Sequence, residues 1–237
     1  MRPVNKGSWP TTPVRSLKIK FTDWSKAIPI LKQRTGWYCH LCEMRVTNAL
    51  AIEHIKPKEH FSKLESHWDN FLLICNHCNS SKLAKVPQAS YRRKYYWPHL
   101  NNTLLAFEYG HKLPFISPAA NLSKPQRARA VRLIRLYSLN KQVNSNGESD
   151  TRWIEKMSAL KDAIDSLIEY QNSKITVESI TRLAKKTGFF AIWLSIFNNT
   201  PQVKEALINC SDFHVSSFFD LTLHPIPRNL SNPTDPI

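Results

Sequence analysis

The second half of the chain has apolar residues that recur every three or four positions, which is the spacing of an amphipathic helix. Residues that interrupt helices, namely Asn, Gly, Thr and Pro, separate these segments from one another. The pattern therefore predicts a mainly helical second half. The predicted helices cover residues 124–139, 150–170, 177–186, 189–197 and 203–208.

The first half of the chain has shorter segments and is rich in Trp, Tyr, His, Cys and Pro. Local signals predict a short helix over residues 22–33, a strand over 50–55 and a second helix over about 78–86. Short strands followed by a run of helices indicate the α+β class. The two expected regions are residues 1–118, with a core at 36–86, and a mainly helical region at 119–237.

The chain has 237 residues and carries 33 Lys and Arg against 18 Asp and Glu, which gives a formal net charge of +15. Residues 1–100 hold 17 basic and 6 acidic side chains, whereas residues 101–237 hold 16 and 12. This excess is larger than solubility requires and predicts a polyanionic partner that binds mainly the first region. A hydrophobic content of 42% excludes a disordered basic tail.

The sequence gives no signal for a membrane or for secretion. The longest nearly continuous apolar run, Phe189–Phe197, is interrupted by Ser195 and is about half the length that crosses a bilayer. Residues 1–30 lack the apolar stretch and cleavage site of a signal peptide. We therefore expect a cytoplasmic protein without a membrane partner and without disulfides.

Four of the five cysteines form two Cys-x-x-Cys pairs, which are the strongest local signal in the sequence. The pairs are Cys39 with Cys42 and Cys75 with Cys78. Two such turns supply the four thiolates that structural Zn²⁺ prefers. Two disulfides are disfavoured in a reducing compartment, and a redox dithiol needs only one pair. We predict a zinc site. His40 and His77 lie between the ligands, and either could replace a cysteine, but with four thiolates available we expect both to face solvent or phosphate.

The segment between and after the cysteine pairs resembles the HNH nuclease motif. Glu53 and His54 supply an acidic residue before a histidine, Asn70 is the central asparagine, and Asn79 is the final asparagine after the last cysteine. The resemblance implies two strands and a helix around a catalytic metal, with the zinc site beside them. Many such motifs have Asp where Glu53 stands, which leaves open whether Glu53 binds the metal directly, through water or not at all.

Hydrolysis of a phosphodiester needs an activated water and neutralisation of charge on the phosphoryl oxygens. His54 carries an imidazole that titrates near neutral pH, so it is the candidate general base. Asn79 offers an amide oxygen suited to a hard cation such as Mg²⁺ or Mn²⁺. By resemblance, Asn70 belongs to the loop that orients the His54 ring, and Glu53 is the second candidate ligand of the catalytic cation.

Basic residues around the motif are candidate contacts for nucleic acid. Lysines flank the proposed centre, and residues 91–97 interleave three cations with four aromatic rings. These rings are expected either to stack on bases or to pack between the two regions while the cations face solvent. The candidate contact residues are Lys56, Lys58, Lys82, Arg92, Arg93 and Lys94.

Further segments are similar to the HNH subunit of Septu-type antiphage systems and to proteins of retron-associated operons. They are Met1–Gly7, Cys42–Glu43, Glu53–Lys58, Phe107–Gly110 and Leu136–Asn140. This resemblance implies an ABC-type ATPase partner and, in retron operons, a reverse transcriptase with its nucleic acid. The pairs Phe189–Phe190 and Phe218–Phe219 are expected either to dock such a partner or to pack in the core.

The motifs and the charge together predict an HNH endonuclease that hydrolyses phosphodiester bonds of DNA or RNA with a divalent cation. The alternative is a noncatalytic zinc-ribbon module that binds nucleic acid and recruits another nuclease. The two hypotheses differ in whether cleavage depends on His54.

Overall fold

The computed structural model describes residues 1–82, 94–143, 146–232, 235 and 237. Within these ranges four strands form two separate antiparallel pairs, and seven α-helices accompany them. The first strand pair and the cysteine cluster lie in the N-terminal part, and most of the helices follow it. The α+β prediction is therefore confirmed.

The first strand pair joins β1 (Leu50–His54) to β2 (Phe71–Cys75), with His54 opposite Phe71 at one end of the register. Helix α2 (Asn76–Ser81) begins directly after β2. Successive residues of a strand point to opposite faces. His54 and Glu53 therefore lie on different faces of β1, and each face has its own environment.

The face of β1 and β2 that carries His54 is covered by the N-terminal segment, residues 8–35. This segment contains a single 3₁₀ turn, Trp24–Lys26, followed by helix α1 (Ala27–Thr35). Gly36 ends the helix with φ 79°, and a Cβ there would lie 2.4 Å from the carbonyl oxygen of Asp212, so this position requires glycine. The buried residues of this cluster are Phe21, Ala27, Leu31, Ile52, Trp68, Phe71 and Leu73.

The helices of the second region follow the apolar periodicity of the sequence. Each of the five predicted segments overlaps one helix, and residues at several of the helix ends form hydrogen bonds that cap the helix. Asp150, for example, accepts a hydrogen bond from the backbone nitrogen of Arg152 at 2.9 Å. No helix in the described part of the chain has the length and apolar character of a membrane span. The helices are α3 (Lys124–Leu136), α4 (Thr151–Gln171), α5 (Val177–Thr187), α6 (Phe190–Ile196) and α7 (Pro201–Asn209).

A second strand pair connects the two regions and was not predicted from the pattern. It consists of β3 (Phe107–Tyr109) and β4 (Ile116–Pro118). Each strand has only three residues, which is too short for an alternation of apolar and polar positions to be recognised.

The largest buried cluster extends across both halves of the chain. It contains all four paired cysteines and, from the other face of the first strand pair, Ile55, Leu72 and Ile74. Helices of the second region complete it. Their contributions include Leu133, Tyr137, Leu160 and Ile192. The division at residues 118 and 119 stays a prediction.

The two phenylalanine pairs belong to the core, which is the second of the alternatives given above. Phe189, Phe190, Phe218 and Phe219 are all buried, with at most 8% of the residue exposed. The ring of Phe190 packs against that of Phe213 with 5.0 Å between centroids. These four side chains therefore give no exposed apolar surface for a partner.

Candidate active site and metal centre

The four paired cysteines converge on one point in the core. Cys39 and Cys42 lie in the turn after α1, Cys75 ends β2, and Cys78 lies on α2. Their sulfur atoms all lie within 4.8 Å of one another, and the Sγ atoms of Cys42 and Cys75 are 3.7 Å apart. A tetrahedral zinc with Zn–S bonds of about 2.3 Å has sulfur atoms about 3.8 Å apart. The cluster therefore fits structural Zn²⁺.

A buried arginine from the second region contacts this cluster. The Nη1 of Arg152, on α4, lies 3.6 Å from the Sγ of Cys78 and donates to the carbonyl oxygen of Tyr137 at 2.9 Å. Its other nitrogens form a bidentate ion pair with Asp150 at 3.0 and 2.9 Å. Four thiolates on one Zn²⁺ leave a charge of about −2, so a cation beside them is electrostatically favourable. The helical region thus contributes to the metal centre.

Replacing Arg152 by methionine is expected to lower the free energy of unfolding by about 3–5 kcal/mol, because Asp150 would remain buried without its partner. Zinc affinity is expected to fall about 10- to 100-fold, since the arginine supports a ligand. Urea unfolding and a competitive zinc titration measure the two effects. Exposed Arg182 on α5 is the control, and its change to methionine should stay within about 0.5 kcal/mol. Equal effects of the two substitutions would contradict the prediction.

The prediction for His40 is wrong, whereas His77 is exposed as expected. The His40 side chain is buried, and its Nδ1 accepts a hydrogen bond from the backbone nitrogen of Leu73 at 3.1 Å. Its Nε2 lies 2.8 Å from the Oγ1 of Thr35. Both ring nitrogens therefore have partners inside the domain, and His40 ties the first cysteine turn to β2 and α1 rather than facing a phosphate.

His54 ends β1 with a half-buried side chain whose orientation is fixed on three sides. Its Nε2 lies 2.8 Å from the carbonyl oxygen of Glu65. Its ring packs edge to face with Trp24 and Phe71, with centroid distances of 5.5 and 5.4 Å. A carbonyl oxygen can only accept, so Nε2 carries the proton and Nδ1 is left with a lone pair. This is the tautomer that a general base needs.

The pKa of His54 lies below its usual value. Burial among the aromatic rings is the main cause, and the nearby ammonium groups of Lys58 and Lys82 act in the same direction. The hydrogen bond to the carbonyl of Glu65 raises the pKa and offsets part of the shift. The imidazole is therefore neutral at neutral pH, as a base must be before it accepts a proton.

Asn70 fixes the loop that joins β1 to β2. Its Oδ1 accepts from the backbone nitrogen of Lys56 at 2.7 Å, and its Nδ2 donates to the carbonyl oxygens of Lys56 and Leu64 at 3.0 and 3.1 Å. Leu64 directly precedes Glu65, whose carbonyl holds the His54 ring. Asn70 is buried and acts on His54 through the loop backbone rather than by direct contact.

Replacing Asn70 by alanine is expected to lower the free energy of unfolding by about 2–4 kcal/mol, because backbone groups of Lys56 and Leu64 would lose their buried partner. Chemical denaturation measures the change. Asn79 is the matched control, since its amide is exposed and its replacement should change the stability by no more than about 0.5 kcal/mol. If both variants were equally stable, the loop would not depend on Asn70.

Glu53 lies on the opposite face of β1 and is 4% exposed. Its Oε1 accepts a hydrogen bond from the hydroxyl of Tyr137 at 3.0 Å and forms an ion pair with Lys82. Burial raises the pKa of Glu53, although Lys82 and Tyr137 act against the shift. The ammonium of Lys82 also donates to the carbonyl oxygens of His54 and Ile55. Lys82 follows α2, so this ion pair joins the helix that carries Asn79 to the strand that carries His54.

The predicted nucleic-acid contacts are placed in different environments. Lys56 and Lys58 are half-buried near His54, where their Nζ atoms lie 5.2 Å from the ring centroid of Phe61 and 4.3 Å from that of Trp24. Lys82 instead directs its ammonium toward Glu53 inside the domain. Contact with phosphate stays a prediction for all of them.

Residues 91–97 divide into a part that the structure describes and a part that it does not. Lys94 is exposed, whereas Tyr95, Tyr96 and Trp97 are buried, and Trp97 packs on Tyr137 with 6.3 Å between centroids. These three rings pack in the core, which is the second alternative given above. Arg92 and Arg93 lie outside the described residues.

Several contributors to the site carried no signal in the sequence. Tyr137 and Arg152 come from helices more than 50 residues away from the motif, and no local spacing connects them to Glu53 or Cys78. The Glu65 carbonyl is a backbone group, which any residue type would supply. Trp24 could have been singled out only as an isolated aromatic residue in a basic segment.

The strand pair, the helix that follows it, and the buried cysteine cluster form a zinc-supported unit with a histidine and two asparagines. Residues 38–85 match the HNH endonuclease family, so this part of the chain is an HNH endonuclease domain. The match covers about a fifth of the 237 residues. A search of curated proteins gives no significant match to the chain.

Proposed function

We propose that the protein is a metal-dependent endonuclease that hydrolyses phosphodiester bonds of DNA or RNA with His54 as the general base. The observation that carries the proposal is the orientation of the His54 ring, whose Nε2 is used by the Glu65 carbonyl while Nδ1 keeps an available lone pair. The net charge of +15 supports a polyanionic substrate.

In the proposed reaction, Nδ1 of His54 takes a proton from the water that attacks phosphorus, the P–O bond to the leaving sugar oxygen breaks, and a proton from solvent completes the alcohol that departs. The positive charge that develops on the imidazolium is stabilised by the Glu65 carbonyl, because Nε2 keeps its proton and its hydrogen bond throughout. The rings of Trp24 and Phe71 hold the imidazole in place. Asn70 keeps the loop that contains Glu65 at a fixed distance from β1.

The candidate donors for a catalytic cation are the amide oxygen of exposed Asn79 and the carboxylate of Glu53, both hard oxygen donors of the kind that Mg²⁺ and Mn²⁺ prefer. Glu53 is buried on the face of β1 opposite His54 and is paired with Lys82, so its carboxylate would bind a cation only after Lys82 is released, whereas the Asn79 amide is accessible. When bound, the cation would neutralise charge on the phosphoryl oxygens. Lys56 and Lys58 would add sequence-independent contacts to the backbone of the substrate.

The test is a cleavage assay on zinc-loaded protein with single-stranded and duplex DNA and RNA, each with Mg²⁺, with Mn²⁺ or with neither. We expect cleavage that requires both a divalent cation and the His54 imidazole. In an Asn79→Ala variant the Mg²⁺ concentration for half-maximal rate should rise about tenfold while zinc content stays unchanged. Binding of nucleic acid without His54-dependent cleavage on any substrate would instead favour a noncatalytic zinc-ribbon module.

We further infer a role as the effector nuclease of an antiphage system with an ABC-type ATPase partner, and with a reverse transcriptase where a retron is present. The support is the similarity of Met1–Gly7, Glu53–Lys58 and Leu136–Asn140 to the HNH subunit of Septu-type systems. Phage plaque counts on cells that express the complete operon with native His54 or with His54→Ala test this role. Equal protection by both forms would contradict it.

A further inference from the structure

The N-terminal segment, residues 8–35, lies against the face of the strand pair that carries the candidate base, and it lies outside the family match at 38–85. Trp24, a half-buried residue of this segment, packs edge to face against His54. The ring centroids are 5.5 Å apart and the interplanar angle is 81°. The segment therefore supplies an aromatic side chain beside the candidate base.

A lysine covers the face of this indole. The Nζ of Lys58 lies 4.3 Å from the Trp24 ring centroid, and its only acidic neighbour among the described contacts, Glu65, is 3.7 Å away with both side chains about 40% exposed. Exposed ion pairs and cation–π contacts of this kind are weak. Lys58 can therefore turn from the ring to a phosphate at small cost.

This combination has the chemistry of a site for an unpaired nucleotide. An indole face stacks on any base, and an adjacent ammonium pairs with the phosphate of the same nucleotide. A base inside a duplex has both faces covered by its neighbours, so only an unpaired base can stack on a protein ring. The contact of Trp24 with His54 would put the stacked nucleotide beside the ring of the candidate base.

We propose that Trp24 and Lys58 bind the nucleotide beside the scissile phosphate, so that the substrate is a single-stranded stretch of DNA or RNA. The proposal rests on the proposed nuclease function and adds its substrate class. Trp24 is a substrate-binding residue, and Lys58 supplies the phosphate contact.

Direct binding tests this proposal without requiring cleavage. Fluorescence anisotropy on a His54→Ala background, with zinc loaded, gives Kd for oligonucleotides of about 12 residues as single-stranded DNA, single-stranded RNA and duplex. Trp24→Leu should weaken binding to single strands about 5- to 100-fold and change duplex binding less than about twofold. Trp24→Phe should retain most of the affinity because it keeps an aromatic face. Lys58→Gln should lower the slope of log Kd against log salt by about 0.7 on single strands.

Trp37 is a matched control for the tryptophan. The Nζ of Lys32 lies 4.0 Å from the centroid of the Trp37 ring, and Trp37 is 45% exposed. Trp37 precedes the first cysteine pair in the chain, whereas Trp24 packs on His54. Trp37→Leu should leave both affinities within about twofold of the parent. Circular dichroism and zinc content check that each variant is folded. If Trp24→Leu unfolds the segment, Trp24→Phe still tests whether an aromatic ring at this position supports binding.

Three outcomes overturn the proposal: unchanged binding of single strands by Trp24→Leu, an equal loss on duplex, or an equal loss in Trp37→Leu. A loss seen with DNA alone or RNA alone supports the site and identifies the sugar that it accepts. The proposed function fails separately, through an absence of His54-dependent cleavage in otherwise native protein. Affinity therefore decides the nucleotide site, and cleavage decides the reaction.

Discussion

Replacement of His54 by alanine is expected to lower the cleavage rate about 10²- to 10⁴-fold under saturating substrate. The variant loses the nitrogen that accepts the proton of water. Single-turnover kinetics on a labelled oligonucleotide measure the chemical step. Zinc content and the unfolding midpoint should remain close to those of the native protein, since His54 is only half-buried.

A matched control comes from His67, which lies in the loop between β1 and β2. It also packs edge to face on a tryptophan, with 4.5 Å between its centroid and that of Trp9, and its Nδ1 lies 3.9 Å from Asp69. Its replacement by alanine should change the rate less than about twofold. A His54→Ala protein that cuts at the native rate, or a His67→Ala protein that is equally impaired, would exclude the proposed role of His54.

The same geometry predicts the acid limb of the pH profile. Only the neutral imidazole accepts a proton, and burial lowers the pKa of His54 below its usual value of about 6.5. The midpoint of the acid limb of kcat/KM should therefore lie below about pH 6.5. A loss of activity centred above pH 7 would show that another group controls this limb.

The sequence was most informative where the signal is local. The helices of the second region follow from apolar spacing, because each must bury one face, and α3 to α7 lie within or close to the predicted ranges. The two Cys-x-x-Cys turns that begin at Cys39 and Cys75 are also local signals, because a spacing of two residues between the cysteines lets both thiolates bind the same ion.

Long-range packing accounts for what the sequence did not reveal. The burial of His40 depends on Leu73 and Thr35, which come from two different elements. The location of Lys82 depends on Glu53, which lies 29 positions earlier in the chain. A lysine in a basic protein has the same local signature whether it faces solvent or a buried carboxylate, so only the folded chain distinguishes the two.

Loss of a single zinc ligand is expected to have the largest effect on stability. The cysteine cluster lies within the largest buried cluster of the described chain, and Cys78 also contacts Arg152 from the helical region. Structural zinc contributes about 10–16 kcal/mol of apparent binding free energy in small zinc domains, and much of it appears as folding free energy. Cys78→Ser should release zinc and lower Tm by at least about 10 °C.

Cys210 provides the control for this substitution. It is half-buried at the end of α7, and its Sγ lies 4.0 Å from a carboxylate oxygen of Asp212, outside the metal cluster. Cys210→Ser should keep one zinc per chain and shift Tm by no more than about 4 °C. Metal analysis and thermal unfolding of both variants give the comparison. If Cys78→Ser retained zinc and the native Tm, zinc bound by the four thiolates would not be what stabilises β1 and α2 and positions His54.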